Sequence, residues 1–255
     1  MIYSNNKLLI DKIAVDKIVK QFGTPTYCYS YNQLKENILK FQKNFKKVDP
    51  LICFAVKANN NTIILKEIAK LGLGADVVSK GELMAALKSK VEPKKIVFSG
   101  VGKTYHEIEF AAKKKVLLIN AESQSEIETI LKIARKINRV IDIGLRLNPN
   151  VDAKKIKEIT TGKTINKFGL TEKEVIGLIN HYKKSKYLNI KCLSVHIGSQ
   201  ITSHIPYLKM LKAIQKIIDK TKFNFKYIDL GGGMGINYGE NNKKLNYKKY
   251  SNQID

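Results

Sequence analysis

Tryptophan is absent from this 255-residue chain, arginine occurs only at Arg135, Arg139 and Arg146, and cysteine only at Cys28, Cys53 and Cys192. Three widely spaced thiols, each in an apolar run, suggest neither a disulfide framework nor a zinc site. They are expected to be small buried hydrophobes in a reducing, cytoplasmic setting. No apolar run reaches the roughly 18 residues a membrane helix needs. Nor does any stretch near Met1 combine a charged start, an apolar centre and a small-residue cleavage site, so no membrane partner is expected. Acidic residues are scarce too, 22 against 46 basic ones, for a formal charge of +24. Such an excess raises the question of a nucleic-acid partner, but bidentate readers of base and phosphate favour arginine, and here the lysines are spread along the whole length. The charge is read as solvated faces, with no nucleic-acid partner.

Apolar residues make up 44% of the chain, enough for a sizeable core in one large domain or one and a half. Strand-like runs recur at Ile52–Val56, Ala75–Val78, Lys95–Ser99, Val116–Ile119, Ile141–Leu147, Lys191–Ile197 and Lys226–Leu230. Ser79 with Glu82, Thr104 with Glu107, Ser123 with Glu126 and Thr171 with Glu174 carry the capping-box spacing that marks a helix N-terminus. Helical periodicity follows, as in Ile127, Ile130, Leu131 and Ala134. Strands alternating with helices imply a parallel sheet, and seven successive units favour a (β/α)8 TIM-type barrel over an open doubly wound sheet. In such barrels chemistry sits at the C-terminal strand ends. Lys57, Asp76, Ser99, Glu122, Arg146, His196, Gly231, Gly232 and Gly233 all fall there.

The run Phe54-Ala55-Val56-Lys57-Ala58-Asn59 ends an apolar strand on an ammonium group, which burial disfavours unless the charge has a use. A lysine at the mouth of an apolar barrel can lose its proton near neutral pH and condense with an aldehyde cofactor. A lysine that snorkels at a strand end fits the same run. Gly231-Gly232-Gly233 fails the dinucleotide pattern because position 236 is Ile236. It reads instead as a backbone nest for a phosphate, with a flexible turn as the plainer alternative. Gly102-Lys103-Thr104 and Gly162-Lys163-Thr164 are not phosphate loops, since Val97 and Lys157 stand where the first glycine is required. His196 closes the sixth strand, with Gly198 to admit a ligand and the Ser199 hydroxyl to donate to one. His106, His181 and His204 lie in polar helical contexts without such neighbours.

Taken in order, these motifs resemble those of the fold-type III pyridoxal-phosphate decarboxylases, most closely the diaminopimelate branch. The resemblance runs from Phe22-Gly23-Thr24-Pro25 through the Lys57 run, Gly74 to Leu83, Arg146 to Ala153, Asn166-Lys167-Phe168-Gly169 and His196 to Gln200, and ends at Asp229 to Gly233. It implies that Lys57 carries pyridoxal 5'-phosphate and then serves as an acid–base group. His196 would stack on the cofactor ring, while Ser199, Gly231, Gly232 and Gly233 would hold its phosphate. Asp76, Arg146 and Glu82 would form an orienting shell, although Glu82 equally fits a helix cap. The implied reaction is decarboxylation of meso-2,6-diaminopimelate to L-lysine and CO2 by a cytoplasmic homodimer, with no metal. Related decarboxylases of ornithine, arginine or carboxynorspermidine, and a non-catalytic single-barrel carrier of the cofactor, are the alternatives.

Two departures from the family pattern stand out. Lys155, Ile156 and Glu158 precede Thr161-Gly162 where the family carries a Thr-His pair and an aromatic residue. The chain also ends at Asp255, before the family's eighth strand and C-terminal β domain, so an incomplete barrel is expected. Residues 1–22 would pack with that β domain, 23–240 would form the cofactor-binding barrel, and 241–255 a polar tail.

Overall fold

The computed structural model describes residues 2–4, 6–45, 47–151, 168–237 and 244–254. The chain divides into two units, Met1–Asp49 with Tyr247–Asp255, and Pro50–Asn246. In the first unit, β1 (Ile2–Ser4), β2 (Lys7–Ile10) and β3 (Ile13–Ala14) form an antiparallel sheet followed by helices α1 (Val15–Phe22) and α2 (Tyr31–Gln42). The Ser30 hydroxyl accepts the Gln33 amide at 3.0 Å and so caps α2. Phe41 meets the rings of Phe45 and Tyr247 edge-on at 5.2 and 5.3 Å.

The second unit bears out the strand–helix alternation. Each expected run yields a strand: β4 (Cys53–Ala55), β5 (Gly74–Val77), β6 (Ile96–Phe98), β7 (Leu118–Ala121), β8 (Ile141–Leu147), β9 (Leu188–Val195) and β10 (Tyr227–Asp229). Between them lie α3 (Thr62–Lys70), α4 (Lys80–Lys88), α5 (Tyr105–Lys114), α6 (Gln124–Lys136), α7 (Glu172–Tyr182) and α8 (Ile205–Thr221). All seven strands are parallel, and spatial order follows chain order from β4 to β10 without reversal. A doubly wound sheet would reverse at a switch point, so this is the wall of a (β/α)8 barrel with β4 and β10 at its two ends among the described residues. Apolar side chains pack both faces of β6 and the helix layer outside it. Ile96, Val97 and Phe98 are buried along β6, and Ile127, Ile130, Ile133 and Ala134 form the inner stripe of α6.

The four capping pairs separate into two kinds. At Thr104 and Thr171 the box is reciprocal, because the glutamate three residues on accepts the cap's own amide. Ser79 and Ser123 also cap their helices, but at φ −153° and −155°, against −75° and −69° for the two threonines. The more extended backbone turns a different amide toward the glutamate. Glu82 accepts Val78 N–H at 2.8 Å, and Glu126 accepts Glu122 N–H at 2.9 Å. These two helices therefore tie down the residue that leaves the preceding strand.

One expectation fails. Cys28 is exposed rather than buried, since it lies in an extended segment outside any strand, beside Tyr27 at 91% exposure. The departures at Lys155 to Gly162 and the Gly162-Lys163-Thr164 run lie outside the described residues. No helix among the described residues is long and apolar enough to cross a membrane.

Candidate active site

β4 stops at Ala55, and Val56–Ala58 make a single 3₁₀ turn that buries Val56 and lifts Lys57 to an exposed position. The lysine charge still reaches inward, lowering the proton affinity of both Asp76 and His196. Asp76 lies third in β5 and is half-buried. Burial pushes its pKa up to about 6, and the Asp229 and Glu82 charges add to the rise, while a hydrogen bond with Ser99 and the Lys57 charge oppose it.

His196 is the first residue past β9. Burial drives its pKa down to about 4, aided by Arg146 and Lys57 and opposed by Asp229. Its Nδ1 accepts the Gly232 amide at 3.2 Å, so the neutral ring carries its proton on Nε2. The glycine run after β10 packs against the His196 loop backbone to backbone. A Cβ on Gly231, at φ +64°, would lie 2.5 Å from the Val195 carbonyl oxygen, and one on Gly233, at φ +81°, 1.8 Å from that of Gly198. Gly232 between them faces open space, with nothing within 4 Å of where its Cβ would stand. The Gly231 amide turns back to Asp229 Oδ1 at 2.9 Å, and the buried Tyr207 hydroxyl donates to the Gly232 carbonyl at 3.1 Å. Ser199 is exposed on the neighbouring loop.

Arg146, near the end of β8, donates through Nη1 to Glu122 and stacks 5.2 Å from the Phe168 ring centroid. The second Glu122 oxygen is buried and has no hydrogen-bond partner among the described residues. Glu82 meets the site through its charge on Asp76 while its carboxylate holds Val78 N–H, so it acts as cap and neighbour together.

Sequence reading passed over a polar belt inside the barrel. Asn120 Nδ2 in β7 lies 3.3 Å from Ser99 Oγ, 3.2 Å from Ser194 Oγ and 2.9 Å from Asp229 Oδ2. Ser194, in β9, donates to the same Asp229 oxygen at 2.9 Å. β8 contributes only Gly144 at this level, because a Cβ there would lie 2.0 Å from Asn120 Oδ1. Barrel interiors are normally filled by bulky branched residues, so an Asn inside Leu118-Ile119-Asn120-Ala121 was the available signal.

Residues 31–255 match the family model for the pyridoxal binding domain of pyridoxal-dependent decarboxylases. The chain belongs to that family. Diaminopimelate decarboxylase of Helicobacter pylori strain J99 is 39% identical over 242 residues, which is 94% of this chain and 60% of that protein. The Aquifex aeolicus enzyme of the same name is 38% identical over 245 residues, 95% of this chain and 58% of that one. Among solved structures, H. pylori diaminopimelate decarboxylase complexed with L-lysine aligns with a TM-score of 0.89 at 38% identity, covering 94% of this chain and 61% of that one. Diaminopimelate decarboxylase from M. jannaschii aligns at 0.90 and 32% identity, over 98% of this chain and 60% of the other. This decarboxylase-family chain thus spans about 60% of the length of the curated relatives it matches.

Pyridoxal phosphate, the family's cofactor, fits the residues found here. An exposed primary amine, a neutral imidazole, an exposed hydroxyl and a glycine loop with open space at Gly232 are the donor set that a phosphorylated aromatic aldehyde requires.

Proposed function

We propose that the protein decarboxylates meso-2,6-diaminopimelate to L-lysine and CO2, with this chain supplying the barrel that holds pyridoxal phosphate. The reading is carried by the position of Lys57 just past β4, where its charge bears both on Asp76 in the adjacent β5 and on His196 just past β9, near the other end of the strand order. Support for the substrate comes from relatives of that name at 38–39% identity. When bound, the cofactor's conjugated ring accepts the electron pair left as the substrate carboxylate departs.

The protein's part is binding, orientation and proton handling. Lys57 would bind the cofactor aldehyde through Nζ and, once released, would move a proton there. With its pKa near 4, His196 is uncharged at neutral pH, so it offers a flat ring face and adds no positive charge beside Arg146. Asp76, with a pKa near 6, holds a proton or releases it close to the working pH, within reach of the Lys57 charge. Ser199 and the backbone about Gly232 would hold the phosphate. Arg146, neutralised on one side by Glu122, supplies a fixed cation to the ring pocket.

The same reading assigns the complete protein a homodimeric state and a cytoplasmic home. Burial pushes the Cys53 thiol up to about 12 and raises that of Cys192 as well, so neither forms thiolate readily. Borohydride reduction in the presence of pyridoxal phosphate, followed by peptide mapping, is expected to label Lys57. Label on another side chain, or label retained in Lys57→Ala, overturns the assignment.

A further inference from the structure

The Gly102-Lys103-Thr104 run, which spacing excludes as a phosphate loop, carries a lysine whose side chain is only 1% exposed. A buried ammonium keeps its charge only where protein acceptors replace its hydration shell. Lys103 has three donors and three acceptors: the Gly100 carbonyl at 2.6 Å, the Asn120 carbonyl at 2.8 Å and Glu126 Oε1 at 2.6 Å. The Phe98 ring centroid lies 5.9 Å from the nitrogen. Each acceptor belongs to a different element. Gly100 leaves β6, Asn120 is in β7, and Glu126 is in the first turn of α6.

Two lines run from this ammonium to the site. Along one, Glu126 Oε2 accepts the Glu122 amide at 2.9 Å, and Glu122 receives the Arg146 guanidinium whose charge bears on His196. Along the other, the Asn120 carbonyl is held from outside the strand while its side-chain amide reaches Ser99, Ser194 and Asp229 within the barrel. Asp229 in turn holds the amide of Gly231. A lysine serving stability alone has no need to join both the ring pocket and the glycine loop.

We propose that Lys103 is a positioning residue of the cofactor site, its walled-off ammonium holding β6, β7 and α6 so that Arg146 faces His196 and Asn120 faces Asp229. It rests on reading the site as one for pyridoxal phosphate. Lys103 touches neither cofactor nor substrate; it acts through Glu126, Glu122 and Asn120.

Lys103→Met strands the Glu126 carboxylate in a buried place and costs stability, so the double variant Lys103→Met/Glu126→Gln is made beside it to remove that charge. Three quantities are measured on the 255-residue chain: urea stability, pyridoxal phosphate affinity by spectroscopic titration, and the NMR titration midpoint of His196 without cofactor. In the double variant stability is expected to recover. Affinity is expected to stay about tenfold weaker, the worth of one charged hydrogen bond. The His196 midpoint is expected to rise, because Arg146, the foremost of the charges acting on it, is no longer held near it, while Lys57 and Asp229, the other groups facing it, keep their charges. Return of both affinity and midpoint to wild-type values along with stability overturns the proposal. Should the wild-type chain bind no pyridoxal phosphate, the cofactor reading falls by itself, and the His196 midpoint still decides on Lys103.

Discussion

Asp76 and His196 titrate in opposite senses over the same pH window, and separating them tests the electrostatics of the site. Asp76 moves from an ordinary 3.8 to about 6 on folding, while His196 moves from 6.5 to about 4. At about 1.4 kcal/mol per pH unit, each corresponds to about 3 kcal/mol, or about 2 after allowance for partial exposure. The signs differ. A raised carboxyl stabilises the fold fully below 3.8, and that contribution is lost as pH rises through 6; a depressed imidazole stabilises it above 6.5, and that is lost as pH falls through 4. Between pH 4 and 6.5 the two offset each other in the wild type. Asp76→Asn and His196→Gln unmask them one at a time. Urea unfolding across this range should show Asp76→Asn gaining about 2–3 kcal/mol relative to wild type as pH rises, and His196→Gln losing as much. Three parallel stability curves would refute the assignment of both groups.

Gly144→Ala places a methyl 2.0 Å from Asn120 Oδ1 in a packed interior. It should cost about 1–3 kcal/mol in urea unfolding, most of it regained in an Asn120→Ala background; an additive double-mutant cycle would exclude the clash as the cause. Gly232→Ala adds a methyl in open space, whereas Gly233→Ala forces one to 1.8 Å from the Gly198 carbonyl oxygen. Calorimetry should therefore find Gly232→Ala as stable as wild type but weaker in binding pyridoxal phosphate, and Gly233→Ala impaired in both. Thr104→Ala and Thr171→Ala each remove a reciprocal cap from an outer helix and should cost about 1 kcal/mol with no change in cofactor affinity.

Much of the barrel was legible because its signals are local. Apolar runs such as Ile141–Leu147 and cap pairs such as Thr171 with Glu174 lie within a few residues, and hydrophobic period and turn chemistry act at that range. The placement of Lys57, His196 and the three glycines just past strand ends was readable for the same reason. The first unit's small sheet was not read as such: β3 is two residues long, too short for a period-2 pattern. Identical Ser/Thr–Glu spacing likewise concealed two capping geometries, since only the backbone torsion at the cap decides which amide the glutamate receives.

The order of residues alone determined which side chains stand at the mouth of the barrel and the alternation that brings them there. Tertiary structure decided what those side chains are chemically. Asn120 and Asp229 meet across 109 positions of sequence, Lys103 disappears from solvent by closing on three separate elements, and the pKa values of Asp76 and His196 come from burial and from charges on other strands. Hydrogen bonds and desolvation of this kind depend on which surfaces the fold presses together, a property that no window of neighbouring residues contains.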